Sequence, residues 1–391
     1  MSNQKSLVSI ITASYNYSEY IREAVDSILM QSYKNWELII VDDGSTDNSV
    51  EIIQGYCSKY KNIRLFQHPD FENKGLGETL KLGISKAKGR YIAFLESDDY
   101  WDYKTLENRM DVFDSHSDVS LVFNSIDVFG DGYIKDHMKT HVDRCEKIYQ
   151  KINEPTDISK YIFSVNLVPT FSCWMCTKEA INSCDFNTPI KYCLDLWLWT
   201  QIAFLNHSVA INKKLTHWRT HSDSYSGSQK ASVEELKDFR KKLYARFQKI
   251  APDRYTKFLN DSIEYAKTAA LAPLPNSVKC DYIVKFQKAN VCVFGAGEYA
   301  KKLLSHNKFD LLNVNSFIDD DQQKEGTFIG NYKIFHSSAL SSLNPDYIIL
   351  AMEEPDLILD ELLNKIKVLN LNTKIVPNFF WTLDVYQGVS I

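Results

Sequence analysis

Residues 36–49 read WELIIVDDGSTDNS, an apolar run that leads directly into a polar turn. The run is rich in Ile and Val and predicts a buried β-strand. Gly, Ser, Thr and Asn are typical of turns, but a plain turn needs only one or two such residues. This turn also carries Asp42, Asp43 and Asp47. Three carboxylates so close together repel one another unless cationic or hydrogen-bonding groups lie beside them, so the turn raises the question of what faces it.

Strands and helices alternate around this stretch through the first 100 residues. Strands are predicted at residues 7–14, 36–43, 63–68 and 91–99, and helices at residues 15–31, 45–60 and 75–88. Ser45 or Thr46 is the expected N-cap of the second helix. This alternation predicts a mostly parallel sheet with helices on both faces, and ligands of such sheets bind beyond the carboxyl ends of the strands. The acidic turn lies at such an end.

Composition predicts a globular chain of two or three domains, since 391 residues are 44% hydrophobic and 24% charged. The net charge of −5 and the lack of a basic run give no reason to expect a nucleic-acid partner. Eight scattered cysteines and an N-terminal segment without a long apolar core favour a reducing cytoplasm. The uncharged segment 161–177 is short for a membrane span and predicts a buried strand and loop. Peripheral contact with the inner face of the membrane stays open.

The segment FLESDDYW, residues 94–101, carries the sharpest chemical signal. It places Glu96, Asp98 and Asp99 at the end of a predicted strand. Carboxylate oxygens are the ligands that Mg²⁺ and Mn²⁺ prefer, and substrate phosphates often complete the coordination shell. Taken alone, the segment is explained at least as well by a solvated acidic loop.

Five motifs follow one another in order: VSIITASYN, WELIIVDDGSTDNS, NKGLGETLKLGISKAKGRYIAFLESDDYW, LDLWLWTQIA and HWRTHSDSYS. As an ordered set over residues 6–226, they resemble the family 2 glycosyltransferases of GT-A fold. The resemblance implies a Rossmann-like nucleotide-sugar-binding domain with a mixed, mostly parallel sheet. It also implies transfer of a sugar, with inversion, from a nucleotide-diphosphate donor such as a UDP-sugar to a saccharide or lipid-linked hydroxyl acceptor. Mn²⁺ or Mg²⁺ is the implied cofactor, and synthesis of a polysaccharide or glycoconjugate is the implied setting.

The resemblance also implies roles for five residues. Tyr15 would lie against the nucleotide base, and Asp43 would hydrogen-bond the base, typically uracil. Lys74 would approach the diphosphate, Asp98 would lie near the ribose, and Asp99 would ligate the metal. An ionised carboxylate only accepts hydrogen bonds, so Asp43 suits a base edge that carries an N–H.

The segment HWRTHSDSYS resembles the Tyr-Arg-x-His segment that closes over the donor phosphates in this family. Arg219 would pair with phosphate oxygens, and His221 would be a second metal ligand or a phosphate donor. A purely structural role for His221 is an equal alternative. Leu80 and Lys81 stand where the family often has Arg-Asn, so one contact with the donor phosphates is expected to differ.

The catalytic base is where the sequence departs most from the family. The usual pattern is Glu-Asp-x-Asp-Leu-Trp-Leu-Arg, with its first Asp as base, but this chain reads YCLDLWLW. Tyr192 and Cys193 replace the Glu-Asp pair, Trp199 replaces the Arg, and Asp195 matches the later Asp. Three alternatives remain: Asp195 is the base after a local shift, another group is the base, or the site binds the donor without strong activity. A structural role for Asp195 as a carboxylate at a helix N-terminus is an equal alternative to catalysis. A thiol is a poor replacement for a carboxylate base.

A second alternation of strands and helices begins with VCVFGAGEYAKKLL. Gly295, Gly297 and Ala300 form a G-x-G-x-x-A turn, and Asp319 follows Gly297 by 22 residues at the end of another strand. These features predict a Rossmann-like fold in which the glycines approach a pyrophosphate and Asp319 binds a ribose. NAD or another nucleotide remains open as a ligand, but an accessory or assembly module is favoured because no catalytic Tyr-x-x-x-Lys or substrate lobe follows.

The predicted organisation is therefore α/β throughout. A GT-A domain at residues 1–226 is followed by a helical linker region at 227–284 and a small Rossmann-like α/β domain at 285–391. The CWMC motif, from Cys173 to Cys176, is expected to be a structural pair in a buried strand. Two other functions stay open, a nucleotide-binding regulatory or scaffold protein and an NAD-dependent sugar oxidoreductase. Homodimer formation also stays open.

Overall fold

The computed structural model describes residues 5–130, 133–162, 166–221, 233–258, 261, 289–305, 309, 313–351 and 356–376. The chain forms two compact units. The first contains Met1–Ser159 and Asn166–Pro252, and the second contains Lys160–Val165 and Asp253–Ile391. Each unit has its own sheet.

The first unit is built on eight strands: β1 (Val8–Ser14), β2 (Trp36–Asp42), β3 (Ile63–Gln67), β4 (Tyr91–Phe94), β5 (Tyr100–Trp101), β6 (Val119–Gly130), β7 (Trp174–Thr177) and β8 (His207–Thr220). They form one sheet with the order β3-β2-β1-β4-β7-β6-β8-β5. Strands β3, β2, β1 and β4 are parallel, whereas β7 is antiparallel to both β4 and β6. Strands β6 and β8 are again parallel, and β5 is antiparallel to β8, so the sheet is mixed and mostly parallel.

Eight helices belong to the described part of this unit: α1 (Ile21–Met30), α2 (Ser49–Lys59), α3 (Leu76–Lys86), α4 (Thr105–Ser115), α5 (Tyr133–Tyr149), α6 (Lys178–Asn182), α7 (Leu194–Leu205) and α8 (Val233–Ile250). Alternate residues of β1 and β2 pack with α1, α2 and α4 in one buried apolar cluster. On α3, Gly83 permits close approach to the sheet, because a Cβ there would lie 2.6 Å from Ile11 Cγ2. The four strands and three helices predicted in the first 100 residues are all present, but β4 ends at Phe94 instead of residue 99, and α1 and α2 begin at Ile21 and Ser49 instead of residues 15 and 45.

The register of the parallel strands brings their carboxyl ends to one edge. Ser14, the last residue of β1, lies opposite Asp42, the last residue of β2. The predicted N-cap of α2 is wrong, because the helix begins at Ser49 with Asn48 as N-cap. Ser45 and Thr46 are bonded to neighbouring loops instead, as described below.

The segment 161–177 contains no long helix in its described residues. It includes a short 3₁₀ turn, Phe171–Cys173, which leads into the buried strand β7. No helix among the described residues is long and apolar enough to cross a membrane. Cys173 and Cys176 are both buried and unbridged, as predicted for a structural pair.

From residue 289 onward, the described part of the second unit contains six strands and three helices: β9 (Val291–Phe294), α9 (Glu298–Leu304), β10 (Val314–Asp319), β11 (Phe328–Ile329), β12 (Tyr332–His336), α10 (Leu340–Leu343), β13 (Tyr347–Leu350), α11 (Asp356–Val368) and β14 (Lys374–Val376). The sheet order is β11-β12-β10-β9-β13-β14, and every pair except β11–β12 is parallel. Separate apolar clusters cover its two faces, one including α9 and the other including α10 and α11. This is a small doubly wound α/β unit. Most of the region predicted as a linker lies outside the described residues.

Candidate active site

The acidic turn after β2 is held by backbone hydrogen bonds. Asp42 Oδ1 accepts the N–H groups of Gly44 and Ser45 at 3.2 and 3.0 Å. Gly44 has φ +84°, and a Cβ there would lie 2.8 Å from the carbonyl oxygen of Phe71. The turn therefore needs glycine both for its backbone conformation and for the close approach of the loop that carries Phe71.

Asp47 ties this turn to the loop after β1. Its carboxylate accepts the N–H groups of Ser18 and Ser49, each at 2.9 Å. Burial alone would raise the pKa of Asp47. The hydrogen bonds from Ser49 and Ser18 together have the larger, opposite effect, so the pKa lies below its usual value. Across the same two loops, the Asn16 side chain accepts the N–H of Thr46 at 2.8 Å. These bonds fix the end of β1, where Tyr15 is 45% exposed.

Asp43 points into the protein and is only 5% exposed. Its two oxygens accept the backbone N–H groups of Lys74 and Gly75 at 2.8 and 2.9 Å. His68 Nε2 lies 3.4 Å from Asp43 Oδ1. The structure therefore brings Asp43 and Lys74 together, but through the backbone of Lys74 rather than its side chain. The three carboxylates of the turn are satisfied largely by N–H groups, which answers the question their spacing raised.

The Lys74 side chain turns away from Asp43. Its ammonium group lies 2.5 Å from Asp70 and 2.9 Å from Glu72, both on the same loop. Hydrogen bonds to these two carboxylates raise the pKa of Lys74 above its usual value. The side chain is exposed, so these contacts are weak and easily exchanged for another anion.

Four carboxyl groups influence one another at the end of β4 and the start of α7: Glu96, Asp98, Asp99 and Asp195. Burial, followed by the charges of Asp98 and Asp195, raises the pKa of Glu96 to about 8, against a hydrogen bond from Thr170. Burial, with Asp98 and Glu96, also raises the pKa of Asp99 well above its usual value. Like charges in a poorly hydrated place favour protonation or a bound cation.

Asp99 is 1% exposed and already has two donors. Ser172 Oγ donates to its Oδ2 at 2.6 Å, and the backbone N–H of Arg219 donates to its Oδ1 at 2.9 Å. Asp98 is more open, and its Oδ2 lies 3.1 Å from His221 Nε2. Asp98, Asp99, Arg219 and His221, predicted as site residues from two distant segments, are therefore neighbours.

The Arg219 side chain lies between two aromatic rings. Its guanidinium carbon is 4.9 Å from the ring centre of Tyr20 and 4.4 Å from that of Phe129. Nε donates to the backbone oxygen of Asp98 at 2.8 Å, and the terminal nitrogen pairs with Glu23. Glu23 was not predicted from the sequence, because no motif connects it with a residue 196 positions away.

Asp195 lies in the first turn of α7 and is half-buried. Burial raises its pKa to about 7, against hydrogen bonds from backbone N–H groups. Burial and the charge of Asp195 raise the pKa of Cys193 to about 12, so the thiol is neutral at neutral pH. Of the residues in the YCLD segment, Asp195 is therefore the one whose proton affinity suits a base near pH 7.

A divalent cation fits the chemistry of this cluster in part. The carboxylates are hard oxygen donors, and their mutual repulsion would be relieved by a cation. Within the described ranges, no three His, Cys, Asp or Glu side chains are gathered as they are around a bound metal ion. Binding would therefore require Asp98 and His221 to exchange their mutual contact for the ion.

In the second unit, the Asp319 carboxylate hydrogen-bonds the backbone of the glycine turn. Its Oδ2 accepts the N–H of Ala296 at 2.7 Å and lies 3.0 Å from Lys324 Nζ, and its Oδ1 accepts the N–H of Asp321. Gly295 has φ +95°, and Gly297 precedes α9 as its N-cap. The predicted Gly295, Gly297 and Asp319 are thus brought together, although Asp319 already has a protein cation beside it.

Comparison with known proteins assigns the first unit. Residues 9–184 match the model of the glycosyl transferase family 2, and residues 287–374 match the C2185-like N-terminal family. The glycosyltransferase GlyG of Streptococcus pneumoniae is 30% identical over 225 residues, which are 56% of this chain and 72% of GlyG. This chain therefore belongs to glycosyltransferase family 2.

Two shorter matches are more similar in sequence. The putative teichuronic acid biosynthesis glycosyltransferase TuaG of Bacillus subtilis is 43% identical over 111 residues, 28% of this chain and 43% of TuaG. The Escherichia coli UDP-Glc:α-D-GlcNAc-diphosphoundecaprenol β-1,3-glucosyltransferase WfaP is 44% identical over 104 residues, 27% of this chain and 40% of WfaP. The chain thus aligns with less than half the length of either relative.

The fold also has a solved counterpart. The crystal structure of Staphylococcus aureus TarS residues 1–349 with UDP-GlcNAc matches 66% of this chain and 71% of the TarS chain, with a TM-score of 0.52 and 18% identity. At this identity the match concerns the fold alone. It confirms the predicted GT-A fold, and the second sheet confirms the predicted second α/β region.

Proposed function

We propose that the first unit is an inverting glycosyltransferase that moves a hexosyl group from a UDP-sugar to a hydroxyl acceptor. The observation that carries the proposal is the gathering of Asp98, Asp99, Arg219, His221 and Asp195 around the carboxyl end of β4. Ligands of parallel sheets bind beyond such ends. Membership of family 2 supports the reaction class, and the cytoplasm remains the proposed compartment.

The donor's nucleoside would occupy the loops after β1 and β2. Tyr15 offers an exposed ring there, and Asp43 would accept from the base with oxygen lone pairs beyond those that bind the N–H groups of Lys74 and Gly75. Asp98 would lie near the ribose. Lys74 would exchange its contacts with Asp70 and Glu72 for the diphosphate, since solvent screens exposed ion pairs of this kind and they are easily replaced.

Asp99 and His221, with Asp98 beside them, are the residues we propose for Mn²⁺ or Mg²⁺. The bound ion would offset the negative charge that builds on the departing UDP. Arg219 would contribute a permanent positive charge to the same oxygens after leaving Glu23. Its position against the rings of Tyr20 and Phe129 keeps the guanidinium close to this place.

Asp195 is the proposed general base. It would accept the proton of the acceptor hydroxyl as that oxygen attacks the anomeric carbon on the side opposite the leaving UDP, which gives inversion. A carboxylate with a pKa of about 7 is half ionised at neutral pH and is a stronger base than an ordinary aspartate. Cys193 stays protonated under these conditions and contributes no base.

The acceptor would be a saccharide or a lipid-linked saccharide in polysaccharide or glycoconjugate synthesis. The name of WfaP describes transfer to a sugar on diphosphoundecaprenol, and the name of TuaG refers to teichuronic acid. Both names support an acceptor of this kind without identifying it. Peripheral membrane contact and a homodimer are compatible with this setting.

The test is a panel of UDP-, GDP- and dTDP-sugars, each with and without Mn²⁺. Binding is read by calorimetry, and slow donor hydrolysis is read by release of the nucleoside diphosphate. We expect UDP-sugars to bind with Mn²⁺ and to be hydrolysed slowly. Metal-dependent binding without hydrolysis or transfer would favour the regulatory or scaffold alternative, and absence of binding would refute the donor assignment.

For the second unit we propose an accessory or assembly module, with the domain limits predicted above. Lys324 beside Asp319 supports this, because it occupies the carboxylate that a dinucleotide ribose would use. Millimolar NAD should then leave the melting temperature unchanged. A rise in melting temperature with NAD would instead favour a cofactor-binding unit and revive the oxidoreductase alternative.

A further inference from the structure

Ser172 is a fully buried residue at the meeting point of several parts of the candidate site. It lies in the 3₁₀ turn Phe171–Cys173, directly before β7. Its hydroxyl donates to Asp99 Oδ2 at 2.6 Å and accepts the backbone N–H of Glu96 at 3.0 Å. One hydroxyl thus connects both ends of the ESDD segment.

The carbonyl oxygen of Ser172 is also hydrogen-bonded, like its hydroxyl. It accepts hydrogen bonds from Trp101 Nε1 at 2.7 Å, from Arg109 at 2.8 Å and from Thr216 at 3.2 Å. Arg109 is itself fully buried, and its guanidinium carbon lies 4.9 Å from the ring centre of Trp101. Ser172 therefore has little freedom to move, and a fixed donor fixes its acceptor.

Arg109 adds a charge to this arrangement. The hydrogen bonds found for it within the described residues all go to neutral oxygens, those of Asn124, Ser172, Trp174 and Thr216. A buried guanidinium is costly without a negative charge nearby. Arg109 is linked to Asp99 through Ser172, whose carbonyl oxygen accepts a hydrogen bond from Arg109 and whose hydroxyl donates one to Asp99.

Asp99 also connects Ser172 to β8, because it hydrogen-bonds a residue of that strand. Its other oxygen accepts the backbone N–H of Arg219, and Arg219 Nε in turn holds the backbone oxygen of Asp98. His221, two residues further along the chain, contacts the Asp98 carboxylate. The spacing of the proposed metal and phosphate ligands thus depends on the orientation of Asp99.

We propose that Ser172 is a positioning residue that, backed by Arg109, fixes the Asp99 carboxylate and through it Arg219 and His221, so that the site receives a divalent cation with the UDP diphosphate. This inference rests on the proposed function. Without the hydroxyl, Asp99 would lose one of its two donors and could rotate. Residues that hydrogen-bond metal ligands typically matter 10–100-fold for metal affinity, as a rough scale.

The test compares Ser172→Ala with Ser208→Ala as a matched control. Ser208 is equally buried and lies on β8, and its hydroxyl oxygen has no hydrogen-bond partner within the described residues. Mn²⁺ affinity in the presence of UDP is measured by electron paramagnetic resonance of free Mn²⁺, and melting temperature is measured alongside. We expect Ser172→Ala to lose about 10–100-fold in Mn²⁺ affinity, with Ser208→Ala unchanged.

Equal Mn²⁺ affinity in wild type and folded Ser172→Ala would overturn the inference, as would the same loss in Ser208→Ala. If Ser172→Ala does not fold, Ser172→Cys keeps the side-chain volume with only a weak donor, and the same loss is expected. Failure of the proposed function would give a different result in the wild-type protein. In that case wild type would show no Mn²⁺-dependent binding of UDP, whereas failure of this inference leaves wild-type binding intact.

Discussion

The carboxylate of Asp43 accepts the backbone N–H of Lys74 at 2.8 Å, across 31 residues of sequence. The adjacent N–H of Gly75 is bound by the other carboxylate oxygen. A residue expected to bind a nucleotide base therefore also shapes the loop expected to approach the diphosphate. Donor binding and the conformation of the Lys74–Gly75 loop are therefore expected to depend on the same Asp43 side chain.

Replacement of Asp43 should consequently affect stability as well as donor binding. Asp43→Ala removes an acceptor from the partly buried N–H groups of Lys74 and Gly75, although the Gly75 N–H keeps Asn73 Oδ1 at 3.1 Å. Each lost hydrogen bond of this kind costs about 0.5–1.5 kcal/mol. We expect a clearly lower melting temperature and no detectable binding of UDP. Asp43→Asn retains one good acceptor oxygen and should be intermediate in both measurements. A stable Asp43→Ala protein that binds UDP normally would show that neither role is real.

The pH dependence of activity should report Asp195. The neighbouring titratable groups are Glu96 and the thiols of Cys173 and Cys193, and both thiols have a pKa of about 12 and stay neutral. Since the base must be ionised, kcat/KM should rise with pH through about 7. In Asp195→Asn that rise should vanish and kcat should fall by about 10²–10⁴-fold.

Stability should show the opposite trend at this residue. The pKa of Asp195 is raised from an unfolded value near 3.9 to about 7 in the folded chain. Its favourable contribution is therefore complete below pH 4 and is lost as pH rises to 7. Asp195→Asn should be more stable than wild type at pH 8, but not at pH 4, in thermal unfolding. Identical curves at both pH values would mean that the carboxyl is not desolvated.

Cys193 provides the contrast. The motif resemblance predicts Cys193 at the position of the family's usual base, but its thiol is protonated at neutral pH. Cys193→Ala should keep the wild-type pH profile and most of the activity, within about a factor of three. A loss comparable with that of Asp195→Asn would transfer the proton-accepting role to the thiol and contradict the assignment.

Glu23 holds Arg219 in a pair that the proposed reaction must open. Glu23 is largely exposed, so the pair is worth at most about 1 kcal/mol. Glu23→Gln should therefore leave the fold intact and increase UDP affinity by up to about fivefold, since Arg219 is released. Arg219→Lys should weaken UDP binding because it loses the planar fork. Weaker binding in Glu23→Gln would mean that Glu23 orients Arg219 instead of restraining it.

Local patterns predicted the strands and helices of the first 100 residues, because apolar periodicity depends on near neighbours. The N-cap of α2 was predicted wrongly, because Ser45 and Thr46 bond to Asn16 in another loop. Thr170 and Ser172 were not predicted either. They reach Glu96 and Asp99 across 74 and 73 residues, and only the antiparallel β4–β7 pair brings them there.

The most direct test of the central claim is UDP binding by calorimetry, with and without Mn²⁺, for wild type and Asp98→Asn. The account predicts metal-dependent binding to wild type and a loss of at least tenfold, about 1.4 kcal/mol, in the variant. Binding that is equally tight without metal, or unchanged in Asp98→Asn, would contradict a cation and donor site at the end of β4.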